Sequence, residues 1–482
     1  MFRFFLFLRQ KNQTTMKRYF LLVFACAILF AAQVQAQDQK AAWKEAAKLE
    51  KNILRTKFPK VDFNILSYGA VANDSTVLNH GAINKAILEC TQKGGGRVVI
   101  PAGTFYTGPL TLKSNVNLYL EEGAVLKFST DKDLYLPPVL TRWEGNDCYN
   151  YHPLIYAYGE TNIAITGKGH IDGQGSNETW WSMCGSTRFG WRNGKPSQSI
   201  IGRPRLMQAN EDKLPMEERI MGPEDALRPQ LINIYQCNKV LIQGVSLLNS
   251  PFWVIHPLLS QNIVVDGVSM INDGPNGDGC DPESCRNILI QNCFFNTGDD
   301  CIAIKSGRNN DGRKWSVPSE NIIVRHCEMK NGHGGVVIGS EITGGYKNLY
   351  VEDCIMDSPN LDRVIRIKTN NCRGGIIENV YVRNIKVGQC NEAILRISLL
   401  YENDEDCQRD FPPMVRHIYL DNIQSEKSRY GIFIDGLPSN DRVYDINVSN
   451  CVFNGVKDGN KVSGAEEVHF NSLMINGKIV EQ

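Results

Sequence analysis

Asn262-Ile-Val-Val-Asp-Gly-Val268, Asn287-Ile-Leu-Ile-Gln-Asn-Cys293, Asn321-Ile-Ile-Val-Arg-His-Cys327, Asn348-Leu-Tyr-Val-Glu-Asp-Cys354 and Asn379-Val-Tyr-Val-Arg-Asn-Ile385 are five versions of one segment. Apolar and polar residues alternate in each, as in a strand with one buried face. Weaker copies begin at Asn162, Asn238, His417 and Asp445, and successive starts from Asn238 to Asn379 lie 24, 25, 34, 27 and 31 residues apart. Helical patterns do not intervene, which argues against a βαβ sheet. Strands at this interval, each unable to bury its face alone, fit an all-β chain of coils stacked as a single-stranded parallel β-helix. A propeller is the second choice, because its repeats are longer and hold several strands each. The seventh motif position holds Cys293, Cys327, Cys354 and Cys451 in some copies and Val268, Ile385 and Ile423 in others. Interchange with Val and Ile marks a buried apolar slot, where cysteine acts as a small hydrophobe rather than half of a bridge. Asparagine at the motif start is expected to form an internal amide ladder.

The segments outside the repeat read differently. Lys17 and Arg18 precede an apolar run from Tyr19 to Ala32, with small residues after it, so residues 1–36 read as an upstream extension and a secretory signal peptide. The run is too short for a stable membrane span, and Cys26 lacks the small-residue context of a lipid-anchored cysteine. Residues 37–62 form an N-terminal helical segment, with a helix expected over Ala41 to Lys57. Residues 63–482 are expected to form the β-helix domain, with a second helix over Val77 to Cys90, capped at Asp74 or Ser75. These helices are expected to cover the open end of the first coil, where unpaired strand edges are a liability. Residues 176–228 are a long aperiodic insertion carrying Trp180, Trp181 and Trp191, expected to drape beside a functional face.

Charge excludes some functions. The whole chain has 52 basic and 52 acidic residues. The leader removes Arg3, Arg9, Lys11, Lys17 and Arg18 and no acid, leaving a mildly acidic mature protein. Such a molecule lacks the general basic field that gathers nucleic acid. An anionic ligand needs a local cluster of cations instead.

Acids inside glycine-rich turns concentrate between Asn272 and Asp300: Asn276-Gly-Asp-Gly-Cys-Asp281 and Thr297-Gly-Asp-Asp300. Asp278 and Asp299 are about one coil apart and belong to neighbouring coils. His256, His333 in Gly332-His-Gly334, and Arg366 with Lys368 in Arg366-Ile-Lys368 follow the same spacing once loop insertions are removed. One face then presents His, Asp, Asp-Asp, His, and Arg with Lys. Glycosidic cleavage needs one carboxylic acid to protonate the leaving oxygen and one carboxylate to activate water or attack. Crowding raises one pKa and keeps a proton available. The cations suit a sugar that carries a carboxylate. Asn276 and Lys305 flank the aspartates and are expected substrate contacts, as is His256, for which a satisfied buried histidine is the even alternative. Asp281 is expected to be structural. For Lys305 and Arg308 a solvated side chain is the alternative to one that reaches substrate.

Asn-x-Asp, Gly-Asp-Asp, Gly-His-Gly and Arg-Ile-Lys, in this order, resemble the four signature motifs of glycoside hydrolase family 28, the polygalacturonases, and Gly339-Ser-Glu-Ile-Thr-Gly-Gly345 is similar to its bacterial exo-type subgroup. The resemblance implies a right-handed β-helix and an inverting mechanism on α-1,4-linked galacturonic acid in pectin. It implies that Asp299 is the general acid, that Asp278 and Asp300 activate water, that His333 supports the acid, and that Arg366 and Lys368 hold a galacturonate carboxylate. Gly277 departs from the family's Asn-Thr-Asp. For Asp299 and Asp300 to share a cleft the chain must bend at Gly298, because consecutive residues of a straight strand face opposite ways. Acid and base should stand about 6.5–9.5 Å apart. A calcium-dependent pectate or rhamnogalacturonan lyase, a rhamnogalacturonan-directed hydrolase and a non-catalytic carbohydrate-binding β-helix are the alternatives. No cofactor or metal is expected, the partner is a polysaccharide, and a monomer exported to the periplasm or exterior is expected.

Overall fold

The computed structural model describes residues 39–402, 405–439 and 441–480; the expected leader and Cys26 lie outside them. Two compact units divide at Leu49 and Glu50. In the first, residues 39–49 are helical, and this helix ends at residue 52 rather than at Lys57. No helix among the described residues is long and apolar enough to cross a membrane.

The second unit is a right-handed, single-stranded parallel β-helix. Nearly every strand pairing is parallel; the exceptions are the hairpin of Val139–Trp143 with Asn146–Asn150 and the terminal hairpin of Leu473–Ile475 with Lys478–Val480. One apolar column fixes the register. Ile163, Val240, Ile263, Ile288, Ile322, Leu349, Val380, Ile418 and Ile446 lie side by side on successive coils. All nine are buried, and truncating one such rung to alanine typically costs about 2–5 kcal/mol. The copy expected at Asn238 sits one residue later, since Asn238 pairs with Gln261 and not with Asn262.

Each strand opens with a residue in the left-handed region: Asn162, Lys239, Asn262, Asn287, Asn321, Asn348, Asn379, His417 and Asp445 all have φ between 54° and 64°. Asparagine tolerates that conformation best among side-chain-bearing residues. Its amide N–H then donates to the asparagine of the preceding coil, Asn321 to Asn287 at 3.2 Å, Asn348 to Asn321 at 2.9 Å and Asn379 to Asn348 at 3.0 Å. The ladder is half-buried at the strand starts rather than internal. The cysteine slot is buried as expected, together with Val268, Ile385 and Ile423. Twelve described cysteines are free and buried, while Cys372 and Cys407 form a disulfide.

Helix His80–Gln92 covers the first coil through Ile83, Ala86, Ile87 and Cys90. It starts after Asn79 rather than at Asp74 or Ser75. Asp74 instead accepts from the Thr76 backbone N–H in a preceding turn, and Asn79 ties Val71.

Candidate active site

The site lies on a second face of the coils, formed by strands Ile155–Tyr158, Ile232–Tyr235, Ile255–Leu258, Ile302–Ile304, Val336–Ile338 and Arg363–Lys368. Strand Phe294–Thr297 ends on the neighbouring face, the chain bends at Gly298 and Asp299, and strand Ile302–Ile304 begins the next one. A Cβ on Gly298 would lie 2.5 Å from the Gly274 carbonyl oxygen, so only glycine permits this close approach. The bend turns both Asp299 and Asp300 toward the cleft. One oxygen from each of Asp278, Asp299 and Asp300 lies within 4.8 Å of the others. That is tighter than the expected 6.5–9.5 Å. The turn from Asn272 to Pro275 also explains Gly277: a Cβ there would meet the Gly274 oxygen at 2.6 Å and that of Asn272 at 2.8 Å.

Asp299 is the partly exposed carboxyl, at 20%. Its Oδ1 accepts from its neighbour's backbone, Asp300 N–H, at 2.9 Å and lies 2.9 Å from His333 Nδ1. Burial alone would raise the Asp299 carboxyl, but His333, with Lys368 and Lys305 behind it, more than offsets that and holds it well below the usual range. The same hydrogen bond, with Asp299's charge, lifts His333 to about 9. Asp278 behaves oppositely. Burial first, then the charge of Asp299, pushes its carboxyl up to about 8, although Lys305 works against this. Asp300 is fully buried yet polar-lined: Lys368 Nζ is 2.8 Å from its Oδ2 and Arg366 Nη1 is 3.5 Å from its Oδ1. It lies under the cleft floor, not inside the apolar coil.

Arg366 and Lys368 alternate with the core residues Ile365 and Ile367, which aims both cations into the cleft. Tyr401 covers them, its ring 5.3 Å from the Arg366 guanidinium and 5.1 Å from Lys368 Nζ. No spacing or motif pointed to Tyr401, which arrives on a loop between coils.

The three flanking residues expected as contacts have partners within the protein. His256 is completely buried: strand register sets Ile255 against Cys280, so His256 falls opposite Asp281, three residues past Asp278. Its Nε2 lies 2.9 Å from Glu283, its Nδ1 is 3.0 Å from the Asn233 amide, and burial lowers its pKa. It braces the wall. Asn276 accepts from Arg228 Nη2 at 2.6 Å, and so joins the insertion to the catalytic turn. Lys305 is buried among acids rather than solvated. Its ammonium stands 3.3 Å from Glu341, 3.7 Å from Asp278 and 3.9 Å from Asp281, and 4.4 Å from the centre of the Trp253 ring. Arg308 is likewise buried, 3.2 Å from Glu341 and from Glu402.

Lys305 thus neutralises the acids beneath Asp278. Asp281, buried as a structural residue should be, is held well above the usual carboxyl range by burial and by Asp278. Glu341 is held well below it: burial would raise it, but Lys305 and Arg308 prevail. The Gly339–Gly345 segment contained this residue, but nothing in the sequence showed that it turns inward. Lys305→Met should destabilise the fold by about 3–5 kcal/mol, because Glu341 loses its nearest ammonium in a buried setting. Urea unfolding of the variant measures this; an unchanged midpoint would remove Lys305 from that role.

The insertion builds a wall beside the site. Asn210 of helix Arg203–Glu211 donates to the Arg308 carbonyl at 3.0 Å, and Asn310 of helix Asn309–Trp315 donates to the Asn210 carbonyl at 3.1 Å. Arg203 reaches Glu144 of the 139–150 hairpin. Trp180 packs inward against Tyr135 and Tyr151.

A parallel β-helix with three carboxyls and two cations in one cleft defines a polysaccharide-cleaving enzyme. Residues 223–475 match glycosyl hydrolases family 28, and the chain belongs to that family. It is a glycoside hydrolase, which sets aside the lyase and non-catalytic readings. It is similar to the crystal structure of a hyperthermoactive exopolygalacturonase from Thermotoga maritima, at 39% identity and TM-score 0.87, covering 91% of this chain and 96% of that one. An endo-polygalacturonase of Pectobacterium carotovorum is 30% identical, over 69% of this chain and 74% of that protein. A probable polygalacturonase of Vitis vinifera is 29% identical, over 83% and 75%.

Proposed function

We propose that the chain hydrolyses α-1,4-linked galacturonan from chain ends, releasing galacturonate or a short galacturonide with inversion. The observation that carries this is the grouping of Asp278, Asp299 and Asp300 beside Arg366, Lys368 and Tyr401. Arg366 spends only one long contact on Asp300, so most of its N–H donors remain for a sugar carboxylate. A neutral rhamnose beside the scissile bond would leave them unpaired, which favours homogalacturonan over rhamnogalacturonan. The wall of insertion, hairpin and helix Asn309–Trp315 fits a cleft closed at one end. The likeness to the Thermotoga exopolygalacturonase over nearly the whole of both chains supports the same mode.

Asp299 protonates the leaving oxygen. Substrate excludes water from the Asp299–His333 pair, and a dry site favours neutral His333 with protonated Asp299 over the separated charges. Asp278, still protonated at neutral pH, orients a water for Asp300, which accepts its proton. Both Asp300 oxygens are occupied by cations at the cleft floor, so Asp300 suits a base for water better than a nucleophile, despite the narrow spacing. That is why inversion is the expected outcome.

Proton NMR of a polygalacturonate digest tests size and stereochemistry together. Mono- or disaccharide in the β configuration should appear first while long polymer persists. Early mid-sized oligomers would overturn exo action, and an initial α-anomer would overturn inversion. We further place the protein outside the cytoplasm as a monomer, exported through residues 1–36 ahead of a 37–62 helical segment and the 63–482 β-helix. Disulfide Cys372–Cys407 supports an oxidising compartment.

A further inference from the structure

The insertion holds a second cavity, of about 970 Å³, that shares no lining residue with the catalytic group. Its walls include Lys132, Tyr151, Arg188, Trp191, Arg192 and Lys195. Four cations therefore face two acids, Asp133 and Glu178, and Glu178 is engaged by Ser176 at 2.9 Å. None of the four cations has a carboxylate within 4.0 Å among the described residues, whereas arginines elsewhere in the insertion, Arg203, Arg205 and Arg219, are each ion-paired. Lys132 is half-buried over the Trp180 ring at 5.3 Å, where burial lowers its pKa. Tyr151, 1% exposed, is among the lining residues, and its hydroxyl is buried without a hydrogen-bond partner. Trp191 is half-buried beside the cations, its indole N–H spent on the Lys195 carbonyl.

These features differ from an ordinary solvated face. Free surface cations usually point apart into water, but here they converge with an aromatic ring and an unpartnered buried hydroxyl on one concavity. Volume near the upper end of small-ligand sites, about 300–1,000 Å³, matches more than one sugar ring. Carboxylates would meet the guanidinium groups, hydroxyls would meet Tyr151, and a pyranose face would lie on Trp191. The cavity is mechanically joined to the site. Trp181, between lining residues Thr179 and Ser182, donates to the Ser250 carbonyl at 2.9 Å and packs against Gly274 of the catalytic turn.

We propose that this cavity is a second binding site for an acidic oligosaccharide, holding a uronate segment away from the bond being cut. The choice of uronate rests on the galacturonan reading of the catalytic site. Trigalacturonate titrated calorimetrically into full-length Asp299→Asn protein should bind at two sites per chain, and into Asp299→Asn carrying Arg188→Ala, Arg192→Ala and Lys195→Ala at one. Two sites in both proteins, or one site in both, would overturn the proposal. A single site in Asp299→Asn that the triple change abolishes would uphold the cavity and sink the galacturonan reading; no binding to either protein would sink both. Neutral galactotriose should bind the cavity in neither protein. In the active enzyme the triple change should leave kcat/KM on digalacturonate unaltered and raise KM for polygalacturonate about three- to tenfold. A parallel loss on both substrates would indicate a damaged fold instead and refute the assignment.

Discussion

In Asp299→Asn, kcat on polygalacturonate should fall by about 10²–10⁴-fold, the usual contribution of a positioned proton donor. The decisive measurement compares leaving groups. A galacturonide with a nitrophenolate leaving group needs little protonation, so it should recover most of the lost rate in Asp299→Asn. It should not do so in Asp278→Asn or Asp300→Asn, where water activation is impaired. Electrostatics makes this comparison informative, because the carboxyl that retains a proton in the free enzyme is Asp278, near 8, while Asp299 lies low beside His333. If Asp278→Asn is the variant rescued, the two roles are exchanged.

The pH profile follows from the same groups. His333, raised to about 9, contributes a pairing with Asp299 that is fully present below its ordinary value of about 6.5 and lost as pH rises through about 9. Asp278 loses its proton near 8 and then adds a negative charge opposite Asp299 and the substrate. Both changes act on the alkaline side, so kcat/KM should decline above about pH 8 and collapse beyond 9. On the acid side, Asp299 keeps its charge until well below the usual carboxylate range, and the pair's contribution to stability is lost only there.

The coil repeat was legible because burial repeats: the Ile163 to Ile446 column and the Cys, Val and Ile slot each recur once per turn, and each sits where the alternation predicts. The aspartates were legible because Gly277, Gly279 and Gly298 flank them and glycine marks tight backbone. Register was less legible. Counting residues placed His256 in the Asp278 column, yet parallel pairing sets it opposite Asp281, and a shift of a few residues turns a substrate contact into a buried brace. Charge partners were least legible. Lys305, Glu341 and Arg308 meet across coils, so no local pattern separates a cation aimed at substrate from one aimed at a buried acid. Tyr401 had no signal at all, since it lies outside the repeat and is held from another coil, its backbone N–H donating to the Thr369 carbonyl.

Lys368→Met is the second large effect. Asp300 is wholly buried, and the ammonium at 2.8 Å is its closest charged partner; Arg366 at 3.5 Å is a weaker one. Burial would lower the Lys368 pKa, but Asp300's charge more than offsets that, so the ammonium stays charged over the working range. Removing one member of a buried pair costs about 3–5 kcal/mol, which at about 1.4 kcal/mol per decade is roughly 10²- to 4 × 10³-fold if expressed in the transition state. The mechanism predicts how the loss appears. Without its ammonium, Asp300 loses the contact that fixes its carboxylate beneath the cleft, so the loss should fall on kcat with KM little changed. Arg366→Met differs: Asp300 keeps Lys368, and the loss should fall mainly on KM through the missing carboxylate clamp. Lys368→Arg should restore little, because a planar fork cannot replace a compact ammonium beneath Tyr401. An unchanged kcat in Lys368→Met would show that Asp300 is not the base, and the water-activating role would pass to Asp278.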